Sequence, residues 1–83
     1  MNSSDIKVRV FDMEDGLLEY ENIKSVRIVS KDYNLLIMKD YMPIIGEING
    51  NVDIIGQDTN ISLKKIKAFY TNNNNILNLM IEE

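Results

Sequence analysis

The fold is decided by an alternating stretch near the start of the chain, Asp5-Ile6-Lys7-Val8-Arg9-Val10-Phe11. Its aliphatic side chains fall on every second residue and its two cations fall between them, so one face is apolar and the other is charged. This period of two predicts a β-strand with one buried face. Glu14-Asp15-Gly16 then predicts a turn, because Gly adopts positive φ at no steric cost and Asp hydrogen-bonds its own backbone.

Further short apolar segments extend outward from this stretch, separated by turn residues. They predict strands over 17–21, 23–30, 33–38, 44–48, 52–55, 61–71 and 76–82. The four asparagines at 72–75 predict a turn, because their short polar side chains tolerate left-handed geometry. The run at 33–38 predicts a strand covered on both faces, and Asn49-Gly50 predicts a tight hairpin turn. Residues 64–70 are compatible with a helix, but a strand is the preferred interpretation. Turn signals every roughly 8–12 residues are typical of an all-β sandwich or barrel.

The composition describes one small domain, residues 1–83, that lacks the usual chemical groups of an enzyme. A chain of 83 residues with 45% hydrophobic content buries only a modest core. It contains no Cys and no His, which excludes disulfides and thiolate metal sites and removes the commonest general base. The net charge of −4 argues against nucleic acid as a partner. We therefore predict no catalytic residue, no metal site and no cofactor.

The start of the chain and its longest apolar run indicate where the protein acts. Residues 1–5 are polar, so we expect no secretory or transit leader. The longest apolar run, Leu35-Leu36-Ile37-Met38, is far too short to cross a bilayer. We expect a cytoplasmic protein without direct membrane insertion.

Two charged clusters are better explained by solvent exposure than by binding. The acidic group consists of Asp12, Glu14 and Asp15. It could hold a cation through its oxygens, but it lacks the further ligands of a calcium loop, so it is interpreted as a solvated turn. A basic group is interpreted as a solvent face or a protected edge; it consists of Lys64, Lys65 and Lys67.

The most unusual segment is Tyr41-Met42-Pro43-Ile44-Ile45, which places large side chains and a rigid proline beside a predicted turn. Core packing could account for its isoleucines. Tyr41 and Met42 are more typical of a contact loop, because amphipathic aromatics and adaptable Met side chains suit interfaces.

This segment resembles the N-terminal domain of the epsilon subunit of rotary F-type ATP synthases, called delta in mitochondria. The family pattern is close to G-E-x-G-I-x-P-x-H-A-P-L-L, and residues 33–45 align with it at unchanged spacing. The match rests on Ile37, Pro43, Ile44 and Ile45. The chain departs from the pattern at Tyr33, Leu36, Lys39 and Tyr41, which replace two glycines, a proline and a histidine.

The resemblance continues on both sides of the segment. Residues 7–10 look like the family's opening strand, and 26–28 look like the strand before the motif. Residues 68–71 lie where the family has G-F-x-E, and 75–82 are similar to its closing N-x-V-x-I-L-A-E. The resemblance thus covers most of residues 6–82.

This resemblance implies a fold, a function and a set of contacts. The implied fold is a ten-stranded β-sandwich or partly open barrel, here without the C-terminal helical hairpin that binds ATP in some family members. The implied function is a non-catalytic central-stalk subunit of a rotary ATPase, in a divergent complex that either pumps protons or drives another process. Its partners would be a gamma-like stalk subunit, through it the alpha and beta catalytic hexamer, and a membrane rotor ring. The complex would place the protein at the membrane periphery.

The same resemblance assigns residues to two surfaces. The gamma-facing positions are Asp12, Tyr41 and Gly46. The loop region on the rotor-ring side comprises Asn34, Met42, Pro43, Ile44 and Ile45. The alternative from another functional class is a free-standing β-sandwich module that binds a peptide or a carbohydrate, although carbohydrate sites usually present exposed aromatic residues and this chain has no Trp.

Overall fold

A computed structural model describes residues 5–82 as an all-β domain of six strands. The strands are β1 (Ile6–Asp12), β2 (Gly16–Ser30), β3 (Asn34–Ile37), β4 (Ile44–Gly56), β5 (Asn60–Asn73) and β6 (Ile76–Ile81). Strands make up 76% of the structure and these residues include no helix, which confirms the predicted all-β class. Because residues 5–82 contain no helix, none of them forms a helix that could cross a membrane.

Five of the strands close into a barrel. The order around it is β1-β6-β5-β4-β2, and β2 returns to pair with β1. Neighbours are antiparallel except β1 and β6, which run parallel from the pair Lys7–Ile76 to the pair Phe11–Met80. Among residues 5–82, β3 pairs only with β2. It lies on the side of β2 opposite β4, since Val26 of β2 has Ile37 of β3 as its partner on one side and Ile54 of β4 on the other. β3 is therefore an extra strand outside the closed ring.

The barrel interior holds the aliphatic faces that the alternation predicts. β1 contributes Ile6, Val8 and Val10, each at most 3% exposed. The other buried apolar residues are Ile23, Val26, Ile28, Ile37, Ile48, Val52, Ile54, Ala68, Tyr70, Leu77 and Leu79. Ion pairs form on the outside, where Arg9 Nε lies 3.1 Å from Glu19 Oε2 across β1 and β2. The predicted inward and outward faces of β1 are thus confirmed.

The ten strands that the resemblance implies are wrong, because residues 5–82 form six. The eight segments that the alternation predicts also reduce to six, because neighbouring segments fuse into long strands. Residues 17–21 and 23–30 belong to the single strand β2, which bends where Asn22 takes a φ of 60°. One half of β2 pairs with β1 and the other half pairs with β3 and β4. A local kink with positive φ lets one strand turn the corner of the barrel, so no chain break is needed there.

The Asn49-Gly50 hairpin is also wrong, since β4 runs through both residues. Gly50 marks a bulge in the pairing with β5, and a Cβ there would lie 2.2 Å from the Val29 carbonyl oxygen. The glycine permits close backbone approach to β2 at this point, which is the other common reason for Gly within a strand.

β3 is covered on one face only, because Ile37 is buried while Leu36 is 50% exposed.

The predicted turn at Glu14-Asp15-Gly16 forms, whereas the predicted asparagine turn is shortened because β5 extends through Asn73. Asn74 and Asn75 connect β5 to β6 with φ values of 53° and 63°, which Asn tolerates better than most residues. Gly16 ends the first turn with a φ of 73°. The helix-compatible residues 64–70 lie within β5. The bulge is in this strand, because Lys64 and Lys65 lie opposite the single residue Asn51 and Lys65 takes a φ of 57°.

Candidate functional site

The loop between β3 and β4 is held against the end of the barrel. The Asp40 N–H donates to Asn75 Oδ1 at 2.6 Å, and Asn75 Nδ2 donates back to Asp40 Oδ1 at 3.4 Å. Asp40 takes a φ of 64°, and the Tyr41 N–H donates to the Met38 carbonyl at 3.2 Å. These bonds fix the loop to the turn between β5 and β6, so the residues that follow it leave the barrel at a defined place.

The segment after this loop alternates between the core and the solvent. Tyr41 and Ile44 are half-buried and pack against the core. Met42 is 64% exposed and Ile45 is 80% exposed, with Pro43 also exposed between them. Tyr41 therefore contributes to the packing of the domain, whereas Met42, Pro43 and Ile45 are exposed to solvent.

A cluster of tyrosines lies beneath this surface. Tyr70 is 1% exposed, and its hydroxyl lies 3.1 Å from the hydroxyl of Tyr33, which donates to the Glu47 carbonyl. Gly46 faces Tyr70 across the β4–β5 ladder. Burial, and next the hydrogen bond with Tyr33, raise the pKa of Tyr70 well above its usual range. Tyr70 thus stays neutral at ordinary pH and supports the packing of β4 on β5.

A groove runs beside the exposed segment. Its volume is about 560 Å³, and its lining residues are Pro43, Ile44, Ile45, Thr71, Asn72, Asn73 and Asn78. Asn72 is 2% exposed and donates from Nδ2 to the Met42 carbonyl at 3.3 Å. Asn78 donates from Nδ2 to Thr71 Oγ1 at 3.4 Å. The groove therefore has an apolar side, formed by Pro43, Ile44 and Ile45, and a side of side-chain amides from β5 and β6.

Two of these amides have an unused acceptor. Among residues 5–82, neither Asn72 Oδ1 nor Asn78 Oδ1 has a hydrogen-bond partner, and both atoms are buried. A buried carbonyl oxygen left without a partner costs about 1–3 kcal/mol. Both oxygens are covered in this structure, so donors of a bound molecule reach them only when the amide side chains rotate outward. The apolar part of such a molecule would cover Pro43 and Ile45. The arrangement is suited to binding.

The structure separates Asp12 from the other residues expected to face a gamma-like subunit. Lys7, at the start of β1, donates from its N–H to the Asn75 carbonyl at 3.0 Å, beside the loop. Asp12 ends the same strand, five residues and therefore about 17 Å from Lys7. There its Oδ1 accepts from the Glu14 N–H at 3.0 Å, which stabilises the first turn. Asp12 and Tyr41 consequently do not share one surface.

The other expected residues are also spread over distinct environments. Asn34 begins β3 opposite Val29, whereas residues 42–45 enter β4. Gly46 is partly covered, and its lack of a side chain makes room for Tyr70. The structure thus brings Met42, Pro43, Ile44 and Ile45 together with one another but leaves Asn34 on a separate strand.

Sequence reasoning missed the amide side of the groove. Residues 72–75 read as a plain asparagine turn, yet Asn72 continues the inward positions Ala68 and Tyr70 of β5. A polar residue at an inward position of an alternating strand was the available signal, because buried amides need partners. Among residues 5–82, no three His, Cys, Asp or Glu side chains come together as a metal site.

Neither a protein-family model nor a curated protein sequence matches this chain.

Proposed function

We propose that this protein is a non-catalytic binding domain that docks a partner protein through the lip Met42, Pro43 and Ile45 and the amide groove beside it. The partner inserts an apolar side chain over the lip and donates hydrogen bonds to the groove. A rigid proline and an anchored loop lower the conformational entropy lost on docking. The closed barrel serves as a stiff support for this surface.

One observation carries the proposal: exposed aliphatic side chains border a groove whose buried acceptors have no partner. Ile45 is 80% exposed, which is unusual for a large aliphatic residue within a strand. Asn72 Oδ1 lacks a hydrogen bond although its residue is 2% exposed. Each feature has a cost in the free domain that a bound partner would remove.

The central-stalk subunit of a rotary ATPase is the specific form of this function that the residues favour. Its support is the collinear resemblance over residues 6–82, in which Pro43, Ile44 and Ile45 match the family motif. In that form the domain carries torque between a gamma-like subunit and the parts below it. The five-stranded barrel with its one extra strand adds no support to this form, since the family fold has ten strands.

Site-specific photo-crosslinking in the native cells tests both levels of the proposal. A photoreactive amino acid replaces Ile45 in one strain, and it replaces Glu14 at the far end of the barrel in a control strain. We expect a crosslink to a single chain from position 45 and none to that chain from position 14. The purified pair should then bind in calorimetry.

The identity of the captured chain decides the specific form. A gamma-like stalk subunit that co-purifies with alpha and beta catalytic chains would support the rotary assignment. A single unrelated partner would support a binding domain of another system. Equal crosslinking from both positions, or none from position 45, would reject the proposed surface.

A further inference from the structure

β3 has a hydrogen-bonded neighbour on one side only. Among residues 5–82 it pairs with β2, and its other edge is unpaired. An unpaired edge is a template for another strand, since a row of N–H and C=O groups lies ready for pairing. β3 is the strand outside the closed ring, so this edge is not used by the barrel.

The hydrogen bonding of the β2–β3 hairpin identifies the groups on that edge. The Ser30 N–H donates to the Tyr33 carbonyl at 2.8 Å, so these two residues form a hydrogen-bonded pair. In an antiparallel ladder such pairs alternate with pairs whose backbone groups point away from each other. Asn34 and Leu36 belong to pairs of the second kind, so their N–H and C=O groups point away from β2.

Another open edge of the domain, in the first half of β4, is already protected. The first half of β4 extends past the end of β2, and there the Tyr33 hydroxyl donates to the Glu47 carbonyl. The Asn49 N–H donates to Ser30 Oγ at 2.9 Å, and the Asn49 carbonyl accepts from the Lys31 N–H at 2.9 Å. No described residue makes such a bond to the outward backbone groups of Asn34 or Leu36.

The surface beside β3 combines apolar side chains with one cation. A cleft of about 440 Å³ lies there, lined by Arg27, Asn34, Leu35, Leu36 and Ile55. Leu36 is 50% exposed and Ile55 is 38% exposed. Arg27 is exposed, and it forms no ion pair with any residue of the described range 5–82. The cleft thus matches a segment that carries aliphatic residues and a carboxylate.

We infer that the β3 edge binds an extended peptide segment of a partner protein by strand addition. Backbone groups of the segment pair with Asn34 and Leu36. The bound segment places an aliphatic side chain beside Leu36. An Asp or Glu two positions away in the same segment reaches Arg27 with its carboxylate. This mode of recognition obtains affinity from the main chain and specificity from alternate side chains. The inference is independent of the amide groove, which lies elsewhere on the domain.

Display of random short peptides on the purified domain tests the inference. We expect the selected peptides to alternate polar and aliphatic residues and to contain Asp or Glu. Their affinity is then compared for the wild type, Leu36→Ala and Leu36→Pro. Both variants lose the leucine side chain, but only Leu36→Pro also loses the outward N–H. Proline is tolerated where the N–H does not take part in the ladder.

The expected result is at least about tenfold weaker binding by Leu36→Pro than by Leu36→Ala, the effect of one lost backbone hydrogen bond. Arg27→Gln should weaken acidic peptides and leave neutralised variants of the same peptides unaffected. Thermal melts confirm that each variant folds. If Leu36→Pro unfolds, N-methylation of the peptide amide that faces Leu36 replaces it as the test.

Amide NMR spectra then locate the bound peptide. Protection from hydrogen exchange should appear at the Asn34 and Leu36 amides on peptide addition. Three results would overturn the inference: no selected peptide, equal binding by both Leu36 variants, or shifts confined to the amide groove. A wild-type dimer that Leu36→Pro abolishes would also overturn it, since the edge would then be occupied by a second copy.

Discussion

Tyr70 lies across Gly46, and a methyl group at position 46 would come within 2.6 Å of the Tyr70 hydroxyl oxygen. The two residues are cross-strand partners in the β4–β5 ladder, so the ring occupies the space that a side chain at position 46 would need. Pairing of a strand glycine with an aromatic residue compensates for the missing side chain. Gly46 therefore has a structural reason to be glycine that is separate from any contact with a partner.

The first prediction follows from this pair. Gly46→Ala should lower the free energy of unfolding by about 1–3 kcal/mol, the usual cost of overpacking a well-packed site. Urea denaturation of the wild type, Gly46→Ala, Tyr70→Phe and the double variant measures it. Because the ring carbons Cζ and Cε1 would also lie 2.7 and 2.8 Å from the new methyl group, the alanine should keep most of its cost in the Tyr70→Phe background. No measurable cost in either background would show that the ring moves aside freely.

Alkaline pH should destabilise the protein through Tyr70. Burial, followed by the hydrogen bond with Tyr33, raises the pKa of Tyr70 above its usual value near 10. The unfolded chain therefore loses this proton first as the pH rises. The stability that Tyr70 contributes is present below pH 10 and declines above it, by up to about 1.4 kcal/mol per pH unit. Denaturation curves on both sides of pH 10 should show a shallower decline for Tyr70→Phe than for the wild type.

Two neighbouring isoleucines should respond in opposite ways to truncation. Ile45 is 80% exposed and Ile48 is 2% exposed. We expect Ile45→Ala to change stability by less than about 0.5 kcal/mol, and Ile48→Ala to lower it by about 2–5 kcal/mol. Thermal or chemical melts provide this comparison.

The two substitutions should have the opposite ranking in their effect on affinity for the partner. Once the partner is identified, Ile45→Ala should weaken its binding by about 1–3 kcal/mol, the range of an interface anchor. Ile48→Ala should act only through loss of the folded fraction. Full affinity of Ile45→Ala would exclude the lip from the interface.

The buried amide of Asn72 offers a test of the groove. Asn72→Leu has a similar size and removes both the bond to the Met42 carbonyl and the unpartnered oxygen. These effects oppose each other, so stability should stay within about 1 kcal/mol of the wild type. Binding of the partner should nevertheless weaken, because its donors lose an acceptor. Calorimetric titration and melts of the same samples separate the two effects.

Asn72→Asp is the matched control for this site. It keeps the shape of the side chain but introduces a charge at a residue that is 2% exposed. Such a charge should lower stability by at least about 1–3 kcal/mol. An aspartate tolerated without loss would mean that water reaches the site, and the unpartnered oxygen would then need no partner protein.

Local pattern alone was enough to assign faces and several turns. The alternation of β1 placed Val8 and Val10 inside, and the asparagines at 74 and 75 formed the expected turn. Such features depend on neighbouring residues, because side chains alternate along every strand and positive φ favours a few residue types. Strand number was not predictable in this way. Asn22 and Gly50 read as interruptions, but distant strands hold the chain extended through both.

By itself, the sequence determined the all-β class, the inward and outward faces of β1, and the exposure of Met42 beside a turn, but not the partial burial of Tyr41. Tertiary structure alone decided that the barrel closes through the parallel pairing of β1 with β6. Alternation of apolar and polar residues shows which face of a strand is buried, but it does not show which strand lies beside it. It also decided that Asn72 meets Met42, and that Asp12 and Tyr41 lie at opposite ends. The physical reason is that strand register and closure arise from contacts between residues far apart in the chain, which no local pattern records.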